Sequence, residues 1–354
     1  MSVPTPSSPD APAPFDLLAL ERYLTAHIAG FQGPITISRF KGGQSNPTYL
    51  LSTPAGQYVM RTKPAPVTQL LPSAHAIERE FRVQSALAGS AVPVTRMHCL
   101  CEDEAVIGRA FYVMDFVEGR IFWEQSLPGM QPAERGAIYD ELNRVIAELH
   151  KVNYATLGLA DYGKAGNYFI RQIDRWTRQY RASEIDTIEA MDRLIAWLPE
   201  HIPLETAPQV SLVHGDYRID NVIFHPTEPR ILAVIDWELS TLGHPLADFA
   251  YHLMSWHTSP GLARGLLGLD LNALGIPQEP AYIAAYERHI GHAVAGNWNF
   301  YLAYNLFRLA AILQGIAKRV QDGTASNAQA AEIGRHARPL AEMGWGFAQK
   351  AEKT

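Results

Sequence analysis

Cysteine is nearly absent from this 354-residue chain: Cys99 and Cys101 are the two, too few for a disulfide-stapled scaffold. At alternate positions of an apparent strand, they are expected to turn to opposite faces and not to pair, and a reducing, cytoplasmic setting is the expectation. Positive charge is not in excess. A net charge of −6 argues against nucleic acid or an anionic membrane as the main partner. No long apolar run goes uninterrupted, since even Phe300 to Ala317 contains Asn305, Arg308 and Gln314, so no membrane-spanning helix is expected. Residues 1–14 lack Lys and Arg and carry prolines at 4, 6, 9, 12 and 14, which predicts a disordered tail and neither a signal nor a transit peptide. No internal repeat is visible. What is there is 47% hydrophobic and 19% charged, enough to bury a large core and to divide into two lobes.

Leu17, Leu20, Leu24 and Ile28 recur at helical spacing ahead of Gly30, predicting one amphipathic helix. Short β-rich runs at 35–40, 48–52 and 57–62, punctuated by Gly42-Gly43 and Pro54-Ala55-Gly56, predict an antiparallel meander. A helix over about 73–88 and strands over 95–102 and 110–117 complete a five-stranded sheet with one helix on it. Glu118-Gly119 marks the crossover, so the chain is divided into an N-terminal lobe, 15–117, and a C-terminal lobe, 118–354. Pro132 opens a helix whose Ile138, Leu142, Val145 and Leu149 share a face. Beyond it the pattern is helical, with long helices over 247–257, 282–294 and 297–319, except for three short strands at 210–213, 222–224 and 231–235.

Those strands frame His214-Gly215-Asp216-Tyr217-Arg218-Ile219-Asp220-Asn221 and Val234-Ile235-Asp236-Trp237. Asp216 and Asn221 stand 221 − 216 = 5 positions apart, the separation between proton acceptor and magnesium ligand in a kinase catalytic loop. Asp236 then supplies the second metal ligand, and oxygen ligands suit a hard cation. These residues resemble the aminoglycoside phosphotransferase and choline kinase superfamily, and the surrounding wording is similar to the kinase-like phosphotransferases associated with acyl-CoA dehydrogenases. The resemblance covers the chain from about Phe31 onward. It implies an α+β, bilobal, protein-kinase-like fold, with an antiparallel sheet plus helix in the N-lobe and a mostly helical C-lobe carrying one small catalytic sheet. It also implies ATP- and magnesium-dependent phosphorylation of a small-molecule hydroxyl, with Asp216 catalytic and Asn221 and Asp236 on the metal.

The resemblance further implies a nucleotide-covering loop at Lys41-Gly42-Gly43-Gln44-Ser45-Asn46, where glycines let backbone amides approach phosphate. It implies an adenine-binding linker in 111–119 that includes Asp115 and Val117. Arg61 stands where protein kinases have lysine, with Glu80 as its expected partner, and Lys63 shares its strand face, so either cation could reach the phosphates. His214 and Gly215 read as structural, and Asp248 as binding the backbone of the catalytic loop. No Ala-Pro-Glu follows Asp236, so a protein-substrate platform is missing. Arg171, Arg175 and Arg178 lie at i, i+4 and i+7 on one helix face, and with Glu238 they are candidates for binding the acceptor. Trp256, Trp298, Tyr301 and Tyr304 line an acceptor pocket or fill the core. A cationic face suits a hydroxylated acyl compound or another anionic metabolite. The alternatives are an aminoglycoside or choline-type kinase and a nucleotide-binding pseudokinase. ATP versus GTP and the oligomeric state stay open.

Overall fold

A computed structural model describes residues 14–40, 46–64, 76–164, 166–204, 209–262, 264–294, 297–324 and 330–353. In chain order these form α1 (Leu17–His27), β1 (Thr36–Arg39), β2 (Thr48–Thr53), β3 (Gly56–Thr62), α2 (Ile77–Leu87), β4 (Met97–Cys101), β5 (Phe111–Asp115), α3 (Pro132–Lys151), α4 (Tyr168–Ala182), α5 (Glu189–Glu200), β6 (Ser211–Val213), β7 (Val222–Phe224), β8 (Ile231–Val234), β9 (Thr241–Gly243), α6 (Pro245–His257), α7 (Leu271–Leu274), α8 (Glu279–Ile290), α9 (Trp298–Gln321), α10 (Ala330–Gly334) and α11 (Ala337–Ala351). They fall into two compact units, and neither is one continuous stretch. The first holds 1–122, 155–159 and 219–240, and the second holds 123–154, 160–218 and 241–354. A single division at 117/118 therefore does not describe the contacts, because the β7–β8 hairpin groups with the first unit.

In the first unit, α1 starts where the Asp16 carboxylate accepts from the Leu18 and Ala19 amides, satisfying two otherwise orphaned donors. The antiparallel sheet runs β1-β2-β3-β5-β4. Leu20 and Leu24 of α1 pack with Leu51, Met60, Phe111 and Val113 on one sheet face. Cys99 and Cys101 both belong to this cluster and are free. The expectation of opposite faces is thus corrected: residues two apart on a strand share a face. Burial pushes the Cys99 thiol up to about 12. Past β5 the chain runs against β7, with Arg120 bridged to Phe224. A Cβ on Gly119 would lie 2.3 Å from the Phe224 carbonyl oxygen, so this close approach requires glycine.

In the second unit, α3 buries the expected face of Ile138, Leu142, Val145 and Leu149. There β6 pairs with β9, a strand that the pattern does not reveal, while in the first unit β7 pairs with β8. Two two-stranded sheets therefore stand where one small sheet was expected, because a three-residue strand carries no readable period. α5, α7, α10 and α11 are likewise additions to the expected helices. By length and apolarity α9 could cross a bilayer, yet 78% of its apolar stretch is buried within the protein, as in a core helix.

Candidate active-site residues

The candidate residues divide between the units, and Arg61, on β3, organises those of the first. Its Nε lies 3.2 Å from Glu80, and its Nη2 lies 3.0 Å from Asp236 and 3.2 Å from Glu238. Glu80, on α2, is buried and also accepts from the Asn46 amide and the Tyr112 hydroxyl, each at 3.0 Å. Desolvation works against the Arg61 charge, but Glu80 and then Asp236 outweigh it and raise the pKa of the guanidinium. Burial raises the Glu80 carboxyl, while Arg61 pulls it back. Lys63 pairs instead with Glu78 at 3.2 Å, where both side chains are more than a third exposed.

Asp236 follows β8 with φ 66° and ψ 58°, a left-handed conformation that aspartate tolerates better than most residues. Its preceding residue, Ile235, donates its amide to the Asn221 carbonyl at 2.9 Å, just past the Val222–Val234 pair of the hairpin. The hairpin thus brings the Asn221 and Asp236 positions to one end of two paired strands. Three carboxylates surround one guanidinium here, an excess of negative charge that a divalent cation would offset. Among the described residues no group of three or more His, Cys, Asp or Glu is arranged to hold a metal alone. That is compatible with magnesium, which commonly takes one or two carboxylates and completes its shell with phosphate and water.

In the second unit, the backbone around Asp216 is fixed by buried side chains. Asp248, on α6, accepts the His214 amide at 2.8 Å and the Gly215 amide at 2.7 Å, and His150 of α3 sits 3.1 Å from the same carboxylate. Burial alone would raise the Asp248 carboxyl. The His150 hydrogen bond and charge, followed by His214, reverse that and hold it below the usual carboxylate range. Gly215 takes φ 82°, and its carbonyl accepts from Arg308 of α9 at 2.5 Å. His214 is fully buried and its Nδ1 accepts the Asp216 amide at 3.2 Å, the backbone role expected of it. The Asp216 carboxylate lies 3.3 Å from Arg218 Nε, and burial first, then the Asp216 charge, raise the pKa of Tyr251.

Other expected positions are dispersed. Gly42, Gly43, Gln44 and Ser45 lie outside the described residues. The Asp115 carboxylate is 2.6 Å from His98, and its amide donates to the Arg96 carbonyl. Val117 packs on Ile121, Ile223 and Ala233. The three arginines of α4 are not equivalent: Arg171 donates to the Gly166 and Lys164 carbonyls, and Arg178 pairs with Asp174 in solvent. Arg175 stacks on the Trp176 ring instead. Glu238 contacts Arg61. Trp256, Tyr301 and Tyr304 are buried, while Trp298 is half-buried against Phe249. Sequence reasoning missed Arg308, His150 and Tyr251. Arg308 had a visible signal, the one cation within the long apolar stretch 300–317.

Residues 36–289 match the phosphotransferase enzyme family. The mouse acyl-CoA dehydrogenase family member 10 is 46% identical over 335 residues, which is 94% of this chain and 31% of that protein. The chain spans less than half the length of the curated relatives it matches. A crystal structure of a candidate aminoglycoside phosphotransferase from Ralstonia eutropha is 62% identical, with a TM-score of 0.88 over 95% of this chain and 99% of that one. Spectinomycin phosphotransferase, solved with ADP and spectinomycin, has the same fold at 13% identity, with a TM-score of 0.63 over 95% of this chain and 100% of its own. With the match extending over most of its length and taking in the hairpin of Asn221 and Asp236 and the loop of Asp216, this chain belongs to the phosphotransferase enzyme family.

Proposed function

We propose that this phosphotransferase moves the terminal phosphoryl group of ATP to a hydroxyl on a small acyl compound. The observation that carries the reading is the Asp216 loop, whose backbone Asp248 and Arg308 grip from buried positions. Phosphoryl transfer asks the protein chiefly for positioning and charge stabilisation, and a loop fixed in this way supplies positioning. Asp216 would orient the acceptor hydroxyl and accept its proton. Arg61 would donate to phosphate oxygens, with Glu80 setting the plane of its guanidinium. Asn221 and Asp236 would hold magnesium, which when bound neutralises charge on the phosphates. The solved neighbour with ADP supports an adenine nucleotide, and relatives named as acyl-CoA dehydrogenase family members favour an acyl acceptor. The Ralstonia eutropha neighbour favours a second reading, an aminoglycoside acceptor.

The test is nucleotide turnover, with ATP and GTP in parallel, against hydroxy acids, their coenzyme A esters, choline, ethanolamine and aminoglycosides. Phosphate is expected on the acyl hydroxyls, and Asp216→Asn should lower that rate by about two to four orders of magnitude with ATP affinity kept. Transfer to aminoglycosides alone would decide for the second reading. Nucleotide binding without transfer to any acceptor would instead favour a pseudokinase.

A further inference from the structure

Two guanidiniums in the second unit flank one indole, and the proposed chemistry uses neither as a substrate ligand. Arg308 is buried within α9, with its Cζ 5.6 Å from the Trp176 ring centre and 5.1 Å from that of Tyr251. Arg175, on α4, has its Cζ 5.1 Å from the same Trp176 ring. Arginine carries five donors in a planar fork, and the bond to the Gly215 carbonyl engages Nη2 of Arg308. Among the described residues neither guanidinium has a carboxylate within ion-pair distance. The Trp176 indole N–H, in a side chain 4% exposed, is buried without a hydrogen-bond partner among the described residues.

Placing a second cation beside the buried Arg308 costs free energy unless an anion or solvent compensates. Arg175 reaches the surface, and its pKa is held below the arginine range first by desolvation from its neighbours and then by Arg308. Arg308 keeps its charge because the surrounding tyrosines and Asp216 outweigh its own desolvation. Arg308 donates to the carbonyl of Gly215, the residue before Asp216, so a group beside Arg308 lies near the candidate catalytic carboxylate.

We infer that Arg175 and Arg308, with the Trp176 N–H beside them, form a subsite for an oxyanion on the phosphate acceptor. The subsite would anchor one end of an acyl molecule so that its hydroxyl is presented to Asp216, and this role, though not the binding itself, rests on the proposed reaction. Paired guanidiniums recognise carboxylate and phosphate alike. The oxyanion is then either the carboxylate of a free hydroxy acid or the phosphate of a phosphopantetheine-type thioester. Polycationic acceptors would be repelled. The stripe predicted from spacing is thereby narrowed: Arg171 and Arg178 are occupied elsewhere, and Arg308 takes their place.

Calorimetry on the full chain without nucleotide tests this in two arms. One arm compares hydroxycarboxylates of increasing chain length with their neutral methylamides. The other compares hydroxyacyl phosphopantetheine with hydroxyacyl pantetheine, which lacks the phosphate. In one arm the charged member should bind at least about tenfold tighter, and that arm identifies the anion. Arg175→Gln should erase the preference while leaving magnesium-ATP affinity and thermal stability unchanged, and Arg308→Lys should weaken it. No charge preference in either arm, or a preference that survives Arg175→Gln, overturns the subsite. Phosphate transfer without charge preference would refute the subsite and leave the reaction standing, and charge preference without transfer would do the reverse.

Discussion

The two sets of candidate residues are held in contrasting ways. In the first unit Arg61 is the hub of a web in which three carboxylates share one guanidinium. In the second unit the loop of Asp216 is held through its backbone, by Asp248 on two amides and Arg308 on a carbonyl. A web of side-chain charges can be rearranged by an incoming phosphate or metal ion, because each ligand competes for the same guanidinium. Buried bonds to backbone do not depend on a ligand. The residues around Arg61 are therefore built to exchange partners, and the loop of Asp216 is built to stay where it is.

The largest way to break this contrast is Arg61→Ala, which would leave Glu80 buried without its cation. A loss of about 3 to 5 kcal/mol of stability is expected, measured by denaturant unfolding, together with weakened ATP binding. Arg61→Lys should recover part of the stability but less of the binding, since lysine lacks the paired donors. An alanine variant as stable as the wild type would show that the web holds nothing together.

Acid should separate the two units. In the second unit His252, which lies 2.8 Å from the Tyr282 hydroxyl, has its pKa lowered by burial from 6.5 to about 4. Between those values the unfolded chain binds the extra proton and the folded one does not, so stability is full above pH 6.5 and falls as pH drops toward 4. The loss is at most about 3 kcal/mol. Asp248 acts in the same direction at lower pH, because its depressed pKa adds stability that disappears as pH falls through its folded value. In the first unit Glu80 has the opposite sign: its raised pKa makes the folded form bind protons more readily. Hydrogen exchange at pH 7 and near pH 4.5 should show α6 losing protection first, and His252→Gln should flatten the pH dependence. Equal loss of protection in both units would contradict this assignment.

The smallest effect is expected at Lys63, whose partner Glu78 is as exposed as it is. Lys63→Ala should cost less than about 1 kcal/mol and should not alter ATP affinity. If it weakened nucleotide binding more than Arg61→Ala does, the phosphate contact would pass to Lys63.

Much of this was legible because the relevant signals are local. The β-rich runs at 48–52 and 57–62 with Pro54-Ala55-Gly56 between them, the helical spacing of Leu142 and Leu149, and the separation of Asp216 from Asn221 all follow from short-range geometry. The arginines of α4 show the limit of such reasoning. Spacing put Arg171, Arg175 and Arg178 on one face, but it could not say that Arg171 turns back to the loop before its helix or that Arg178 pairs with Asp174. β9 was invisible for a related reason: it is three residues long and owes its existence to pairing with β6.

By itself the sequence determined the helices and strands whose apolar period matches their geometry, and the order of the charged groups in the loop of Asp216 and after β8. Only the tertiary structure decided which charges meet. Glu80 reaches Arg61 from 19 positions away (80 − 61 = 19), and Asp236 from 175, while Arg308 reaches the Gly215 carbonyl from 93. The pairing of a charge depends on which elements pack and how far they desolvate it, and neither is encoded in the neighbours along the chain.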